Sequence, residues 1–426
     1  MSSMTTYDET RAEPDRSVWR NTDWLRLLVG NTATTLGSTT GGIAFPLLAY
    51  ALTGSVGAAS VIASVSGFAY ILTGSIAGVA VDRIDRRRLM IGVDAIALCA
   101  FLGMGILLWH GAAQWWSLLV IVAIAGARQA VSGPAHMASV SNVLPRDQLP
   151  TAVAVQQATS SASQLAGPPL GGLAYALGAA VPFFITVATY AADILILFGI
   201  RTPLNPPHEK RARSEDARQR ARQFLDEVTA GLRFLWAATS RRILVLLSIT
   251  VNLAISIYYV SINLRLVSAG VHPGLIGAFD AAAAAGLLLG SFLAPKLVNK
   301  LSLWRLIVLM TLTAALTWIP AAFAGTNVTL LCTASFVMMI PIPATNAVSM
   351  SYIQVVTPED LQGRVLAASY VISAAAQPAG PLLTGAFLTT LGSTTTVLIP
   401  VVAVLALSLV VMTNQHLRNL DTPDTW

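Results

Sequence analysis

Residues 145–172 read PRDQLPTAVAVQQATSSASQLAGPPLGG, and residues 358–385 read PEDLQGRVLAASYVISAAAQPAGPLLTG. The two stretches match at one constant offset of 213 positions, the difference between 358 and 145. The matched positions are Pro145 with Pro358, Asp147 with Asp360, Gln164 with Gln377, Gly167-Pro168 with Gly380-Pro381, and Gly172 with Gly385. A repeat of this kind predicts a protein built from two similar halves in parallel orientation.

The amino-acid composition indicates whether these halves fold in water or in a lipid bilayer. Apolar residues make up 55% of the 426 residues and charged residues only 11%, whereas a soluble domain carries about 25% charged and 45–50% apolar residues. A water-soluble globule and a disordered chain are therefore excluded, and a polytopic membrane protein remains. The strands of a membrane barrel would be shorter and would alternate in polarity, so the sequence predicts an all-α protein.

Twelve apolar runs are long enough to cross a bilayer as helices: 27–50, 56–80, 89–109, 115–136, 152–176, 181–200, 243–264, 274–295, 303–323, 328–350, 365–388 and 393–413. They divide the chain into a tail (1–26), a six-helix half (27–200), a linker (201–242), a second six-helix half (243–413) and a second tail (414–426). The tails and the connections on their side of the membrane hold 24 of the 26 Lys and Arg residues. The positive-inside rule therefore predicts cytoplasmic termini in a multi-pass protein of the cell membrane.

The linker between the halves carries its own helix signals. Ser214, followed by Glu215 and Asp216, is typical of a helix N-cap with an acidic first turn. A partly apolar face follows, which predicts an amphipathic helix at the inner membrane surface. The alternative is a disordered charged linker.

The connection after the second span combines glycine, acidic and basic residues in the order Gly78-Val-Ala-Val-Asp82-Arg83-Ile-Asp85-Arg86-Arg87-Arg88, with Asp94 following. Glycine allows helices to pack closely, and an aspartate can bind an arginine or the N-terminus of a helix. We predict a latch that holds the two halves closed on the cytoplasmic face, formed by Gly78, Asp82, Arg83, Arg86, Arg87 and Asp94. The alternative is that the arginines only fix the topology.

This loop resembles the G-x-x-x-D-R-x-x-R-R motif of the major facilitator superfamily, and its extended form is similar to the branch that contains macrolide-efflux and related drug exporters. The stretch Gly167-Pro168-Pro169-Leu-Gly171-Gly172 resembles the fifth-helix motif of the superfamily's antiporters. The resemblance implies twelve helices in two halves, with a binding site near mid-membrane and alternating access. The chain departs from the family in the fourth span, where Arg128 and Gly133 are one residue further apart than in the family's arginine motif.

The Gly-Pro steps of the fifth and eleventh spans are predicted to pack between the halves. Proline removes a backbone hydrogen bond and bends a helix, and glycine lets two helices approach closely. The residues concerned are Gly167, Pro168, Gly172, Gly380 and Pro381.

Four ionisable residues lie well inside predicted spans: Asp94, Arg128, Asp193 and Asp280. Each costs roughly 2.5–3.5 kcal/mol at mid-membrane on an insertion scale, so each is a candidate for function. Arg128 either pairs with Asp193 or faces the cavity beside a carboxylate. Asp280 is the leading candidate for proton coupling, because an apolar site favours the neutral form of a carboxyl group. Arg128 and Asp193 are further candidates, and the alternative for Asp280 is an ion pair with Arg265.

Polar residues at helical spacing mark a candidate substrate cavity. The resemblance implies that spans one, four, seven and ten line it, and the residues concerned are Asn31, Thr35, Ser38, Arg128, Asn252, Ser256, Tyr259, Asn263, Met339 and Asn346. Methionine and tyrosine suit a site that accepts varied amphipathic ligands. The alternative is that the small polar residues serve helix packing. For the polar stripes of spans five and eleven we predict packing between the halves.

These features predict a secondary active transporter, a proton-coupled antiporter that exports amphipathic small molecules such as drugs and antibiotics. No phosphate-binding loop is present, so we expect the proton gradient as energy source, with no cofactor and no metal. The five histidines are scattered in or near predicted loops, which disfavours an enzyme. We expect a monomer that binds no nucleic acid. The alternatives are an exporter dedicated to one metabolite, such as a siderophore or a self-made antibiotic, and a non-transporting receptor or scaffold.

Overall fold

The computed structural model describes residues 18–205, 229–358 and 361–413. Side chains are described within these ranges except at 75, 76, 78–80, 82–83, 146, 366–367, 370–371 and 373–377. The first half contains α1 (Thr22–Gly42), α2 (Ala44–Thr53), α3 (Val56–Arg83), α4 (Arg86–Trp109), α5 (Trp115–Val143), α6 (Leu149–Leu177) and α7 (Val181–Gly199). The second half contains α8 (Thr239–Ser268), α9 (Pro273–Lys300), α10 (Leu303–Phe323), α11 (Val328–Met339), α12 (Ile342–Val355), α13 (Gln362–Leu391) and α14 (Ser393–Thr413). The described part of the chain contains no strand.

Each predicted span falls on helix. In the described part, nine spans are long and apolar enough to cross a membrane, with α11 and α12 forming one of them. The other three predicted spans correspond to α1 with α2, α6, and α13, which are rich in Ser, Thr, Gln or Gly. The protein is therefore an all-α, polytopic membrane protein.

Short turns join the helices on the side opposite the termini. Glycines with positive φ end the preceding helices in these connections: Gly54, Gly111, Gly270, Gly325 and Gly392. Glycine adopts this left-handed backbone without the Cβ clash that other residues meet, so one helix can stop and the next can begin after only one to five residues. Exposed Trp109, Trp115 and Trp116 lie on the same side, as expected where aromatic rings meet the interface of a bilayer.

The end of the linker packs on the second half. Residues 229–237 are helical, and Leu235 is fully buried in the apolar core of the second half. The predicted amphipathic-helix start at Ser214, residues 1–17 of the predicted first tail (1–26) and the predicted second tail (414–426) lie outside the described residues. Residues 22–26 of the first tail already belong to α1.

The two halves meet through the repeated segments. A Cβ on Gly172 of α6 would collide with the backbone of Pro273 in α9, and a Cβ on Gly385 of α13 would collide with the side chain of Ser60 in α3. These two glycines occupy matched positions of the repeat, and each packs against the opposite half. Close helix contact of this kind requires a residue without a side chain.

The other glycine of each repeat packs inside its own half. Gly167 lies against Thr39 of α1, and Gly380 lies against Ser256 of α8. The prediction that both pack between the halves is therefore wrong for Gly167 and Gly380, because a shift of five residues turns a helix by more than one full turn to another face. Pro168 does lie at the seam, where its carbonyl oxygen approaches Gly277 of α9, and Pro381 is buried.

The contacts between the halves seal the side opposite the termini. Gly172, Gly277 and Gly385 all lie towards the helix ends of that side. Ile43, which lies between α1 and α2, and Leu47 of α2 also join the apolar cluster that α8 and its neighbours form. The seam between α6 and α9 is therefore closed at one end, which leaves room for a cavity on the side of the termini.

Candidate functional site

Arg86 and Arg87 of the predicted latch bind the backbone of their own half. Arg86 Nη1 donates hydrogen bonds to the carbonyl oxygens of Ala138 at 2.8 Å and Leu204 at 3.2 Å. Arg87 Nη2 donates to the carbonyl oxygens of Ile200 at 2.5 Å and Thr202 at 3.2 Å. Ala138 lies near the end of α5, and the other three acceptors follow α7. These two arginines thus fasten the start of the linker to α4 and α5. The surroundings of Gly78 and the side chains of Asp82 and Arg83 lie outside the described residues.

Asp94 does not reach the basic loop, which corrects its predicted place in the latch. Its carboxylate Oδ1 accepts a hydrogen bond from Arg128 Nε at 2.6 Å, and the two form a buried ion pair between α4 and α5. Asp94 is 1% exposed and Arg128 is 8% exposed. The guanidinium also lies over the ring of Tyr190, 4.2 Å from its centroid, where the negative face of the ring attracts a cation.

Asp193 pairs with His136 and not with Arg128, contrary to one of the predicted alternatives. His136 Nε2 lies 3.7 Å from Asp193 Oδ2, and both residues are at most 2% exposed. Asp193 also packs against Gly30 of α1, where a Cβ would meet its carboxylate. The carboxyl groups of Asp193 and Asp94 lie close enough to interact with each other. Asp94, Arg128, His136, Tyr190 and Asp193 therefore form one cluster, called here the buried charge network.

His136 was missed in the sequence because the predicted fourth span ended at that residue. The helix continues seven residues further, to Val143, so His136 lies inside the bundle and not beside a loop. The signal that could have found it is its spacing from Arg128, because residues eight positions apart are separated by about 80° and lie within one broad stripe of a helix.

A cavity of about 700 Å³ lies at the seam between the halves. On the first half it is lined by Thr39, Gly42, Ile43, Pro46, Gln157, Ser161, Gln164 and Pro168, and on the second half by Ile255, Tyr259, Asn263, Asp280, Ala283, Ala284, Leu287, Leu288, Ser291 and Met339. Along α6 and α9 these residues run from the sealed end of the seam towards the side of the termini. The cavity combines apolar walls with amide, hydroxyl and carboxyl groups, as small-molecule sites do.

Asp280 is the one charged side chain among the described residues that line this cavity. Its Oδ1 accepts a hydrogen bond from Asn263 Nδ2 at 3.1 Å. The alternative ion pair with Arg265 is not formed. Arg265 instead donates to backbone carbonyl oxygens at the end of α10 and the start of α14, those of Ala321, Ala322 and Ser393.

Three of the predicted cavity residues, Tyr259, Asn263 and Met339, line this cavity. The others lie elsewhere in the described structure: Asn31, Thr35, Ser38, Arg128, Asn252, Ser256 and Asn346. Several of them bond to their own helix, as Thr35 does with the carbonyl of Asn31 at 2.7 Å. Conversely, Gln157, Ser161 and Gln164 of α6 line the cavity, although their stripe was predicted to serve packing.

No group of three or more His, Cys, Asp or Glu residues suited to a metal ion occurs in the described ranges. Cys99 and Cys332 are both free thiols. The chemistry that the described cavity offers is thus that of one carboxyl group, amides and hydroxyls.

Two repeated helical halves, sealed at one side and enclosing a polar cavity at their seam, are the architecture of a membrane transporter. The chain belongs to the Major Facilitator Superfamily, whose family model matches residues 27–376.

The chain is similar to several named efflux proteins. It is 28% identical over 218 residues to the multidrug efflux pump Tap of Mycobacterium bovis, covering 49% of this chain and 50% of that protein. The Tap protein of Mycolicibacterium fortuitum is 25% identical over 403 residues, or 89% and 92% of the two chains. Macrolide efflux protein A of Streptococcus pyogenes is 31% identical over 129 residues, or 30% and 32%. The chain thus spans about half the length, or less, of the first and the last of these relatives.

A solved structure has the same fold. The nucleoside transporter NupG superimposes with a TM-score of 0.74 at 10% identity, over 93% of this chain and 99% of that one. Family and structural neighbours are therefore transporters, and the predicted resemblance to drug exporters of this superfamily is confirmed.

Proposed function

We propose that this protein is a proton-coupled exporter of amphipathic small molecules that works by alternating access. The observation that carries the proposal is the cavity at the seam of the two halves, in which Asp280 is the charged group held by Asn263. The names of the relatives, a multidrug efflux pump and a macrolide efflux protein, support the same function.

The substrate class follows from the lining of the cavity. Ile43, Leu287, Leu288 and Met339 offer apolar surface, and Gln157 and Gln164 offer hydrogen bonds. A volume of about 700 Å³ is in the range of pockets that bind drug-sized ligands. An amphipathic molecule satisfies both kinds of wall, whereas a small polar metabolite leaves the apolar side without contact.

Asp280 supplies the coupling. The cavity alternates between the two sides of the membrane when the halves rock about the sealed seam. Asp280 takes up a proton from the side of higher proton concentration and releases it on the other side, and substrate leaves while the carboxyl group is protonated. The proton gradient is then the energy source, and no cofactor is required.

The proposal also covers the orientation of the transporter, its oligomeric state and its location. The termini lie in the cytoplasm of the cell, the protein is a monomer in the cell membrane, and it has no nucleic-acid partner. The excess of Lys and Arg on the side of the termini supports this orientation. A green fluorescent protein fused after Trp426 is expected to fluoresce, and an alkaline phosphatase fused there to be inactive; the reverse pattern contradicts the orientation.

The experiment is efflux of a panel of fluorescent amphipathic dyes from preloaded cells that express the protein. Export is expected to stop when an uncoupler collapses the proton gradient. Asp280→Asn is expected to abolish uphill export, and the matched change Asp147→Asn, in an exposed turn, to leave it intact. Export that survives the uncoupler, or an Asp280→Asn variant that pumps normally at every pH, contradicts the coupling.

A further inference from the structure

The buried charge network of the first half is separate from the cavity. None of Asp94, Arg128, His136, Tyr190 and Asp193 is among the described residues that line the cavity. The network lies between α4, α5 and α7, with Gly30 of α1 packed on Asp193. Its two carboxylates, one guanidinium and one imidazole are all at least nine-tenths buried.

The charges of the network do not balance without one more proton. Arginine stays protonated in proteins, so the two carboxylates and Arg128 together carry one net negative charge when His136 is neutral. A net charge held away from water is strongly unfavourable, because the protein interior does not replace its hydration. One added proton removes it, either on His136 as an imidazolium beside Asp193 or as a carboxyl proton shared by Asp94 and Asp193.

The atoms of the network that lack a hydrogen-bond partner also indicate one added proton. Asp94 Oδ2, both carboxylate oxygens of Asp193 and His136 Nε2 have no hydrogen-bond partner within the described part of the chain. A buried polar atom without a partner is unfavourable, because it loses its hydrogen bonds to water and gains none in the protein. A proton between these groups supplies one more donor beside carboxylate oxygens that otherwise only accept.

We infer that the buried charge network is a second proton-binding site of this protein, in which His136 and Asp193 together with Asp94 hold one exchangeable proton opposite Arg128. The proton belongs to the cluster and not to one residue, because interacting groups titrate together. The groups that face His136 and Asp193 are Arg128 on α5, Asp94 on α4 and Tyr190 on α7, while α1 contributes Gly30.

Loss of this proton at higher pH weakens the packing of the first half. Deprotonation leaves one uncompensated buried negative charge among α1, α4, α5 and α7, which destabilises their contact. Because α1 also carries Thr39 of the cavity wall, the proposed transport cycle gains a pH dependence that does not pass through Asp280. This pH dependence of transport rests on the proposed function, whereas the proton-binding site and its effect on packing do not.

The test uses the purified full-length chain in detergent and no substrate, so it is independent of whether the protein exports anything. Apparent unfolding temperatures are compared across about pH 5 to 9 for the wild type, Asp193→Asn, His136→Gln and Tyr190→Phe. The wild type is expected to lose stability relative to Asp193→Asn as pH rises, because Asp193→Asn leaves Asp94 and Arg128 already balanced. One linked proton corresponds to about a tenfold change in the unfolding equilibrium per pH unit.

His136→Gln separates a proton on the imidazole from a proton on the carboxyls, and it covers the case in which Asp193→Asn does not fold. In this variant the proton is expected on Asp94 and Asp193, so an infrared band of a protonated carboxyl group is expected in an Asp280→Asn background. Tyr190→Phe keeps the ring under Arg128 and is expected to follow the wild type. Parallel stability curves for wild type, Asp193→Asn and His136→Gln, with no carboxyl band in the last, overturn the inference.

Discussion

Asn263 donates its amide hydrogen to Oδ1 of Asp280 at 3.1 Å. The pair joins α8 to α9 within the wall of the cavity. The two residues were predicted to serve different purposes, Asn263 in substrate binding and Asp280 in coupling. Their contact implies that one site carries both tasks, since any ligand near the amide also changes the surroundings of the carboxyl group.

Asn263→Ala is expected to lower uphill export by roughly tenfold or more, because a hydrogen bond to a charged group contributes about 1.5–3 kcal/mol. The initial rate of dye efflux at fixed proton gradient measures this loss. Asn346→Ala, on an exposed position of α12 outside the described cavity wall, serves as the control. A loss of efflux in the control equal to that of Asn263→Ala contradicts the assignment.

Gly172→Ala is expected to destabilise the state sealed opposite the termini. The new methyl group meets the backbone of Pro273 and Gly274 from the other half, which cannot move aside as a side chain can. Overpacking of this kind costs about 1–3 kcal/mol, so the balance between the two access states shifts on the order of five- to hundredfold. Gly133→Ala, where a Cβ meets open space, is the matched control.

Labelling of a reporter cysteine measures that shift. Thr39→Cys in the cavity wall, with Cys99 and Cys332 replaced by alanine, is treated with a membrane-impermeant maleimide from each side of the membrane. In the Gly172→Ala background, labelling from the side of the termini is expected to fall and labelling from the opposite side to rise. Equal labelling in the Gly172→Ala and Gly133→Ala backgrounds argues against a seal at this glycine.

Arg86→Ala is expected to weaken the anchoring of the linker and not the contact between the halves. Its guanidinium donates to carbonyl oxygens of Ala138 and Leu204, so the loss frees the start of the linker from α5. A lower apparent unfolding temperature and faster protease cleavage after residue 205 are the readouts. Arg88→Ala, at an exposed neighbouring position, is expected to change neither. A change in cysteine labelling with unchanged stability would instead favour the latch between the halves.

The sequence predicted the helices well because apolar length is read directly from the chain. The predicted spans 303–323 and 393–413 coincide with α10 and α14. The fourth span was cut short by seven residues, since Ser, His and Asn follow Pro134 and resemble the start of a loop. Polar residues continue a membrane helix wherever neighbouring helices cover them, and a single sequence does not record which neighbours do.

The partners of the charged residues could not be predicted for the same reason. Periodicity assigns Asp94, Arg128 and Asp193 to faces of three helices, but it does not say which faces meet. Depth suggested Arg128 with Asp193, whereas the long side chain of Arg128 reaches Asp94 and leaves Asp193 to His136. The repeat was more informative at the seam, because Gly172 and Gly385 occupy matched positions and take matched roles.

Arg128 and Asp94 are expected to behave as a buried ion pair. Arg128→Met or Asp94→Leu alone leaves one buried charge without its partner, which costs about 3–5 kcal/mol. The double variant removes both charges and fills the same space with apolar atoms, so most of the lost stability is expected to return. The apparent unfolding temperature and the yield of monodisperse protein in detergent measure both effects. If the double variant loses as much stability as the two single variants together, the residues act independently. The ion pair would then not hold α4 against α5.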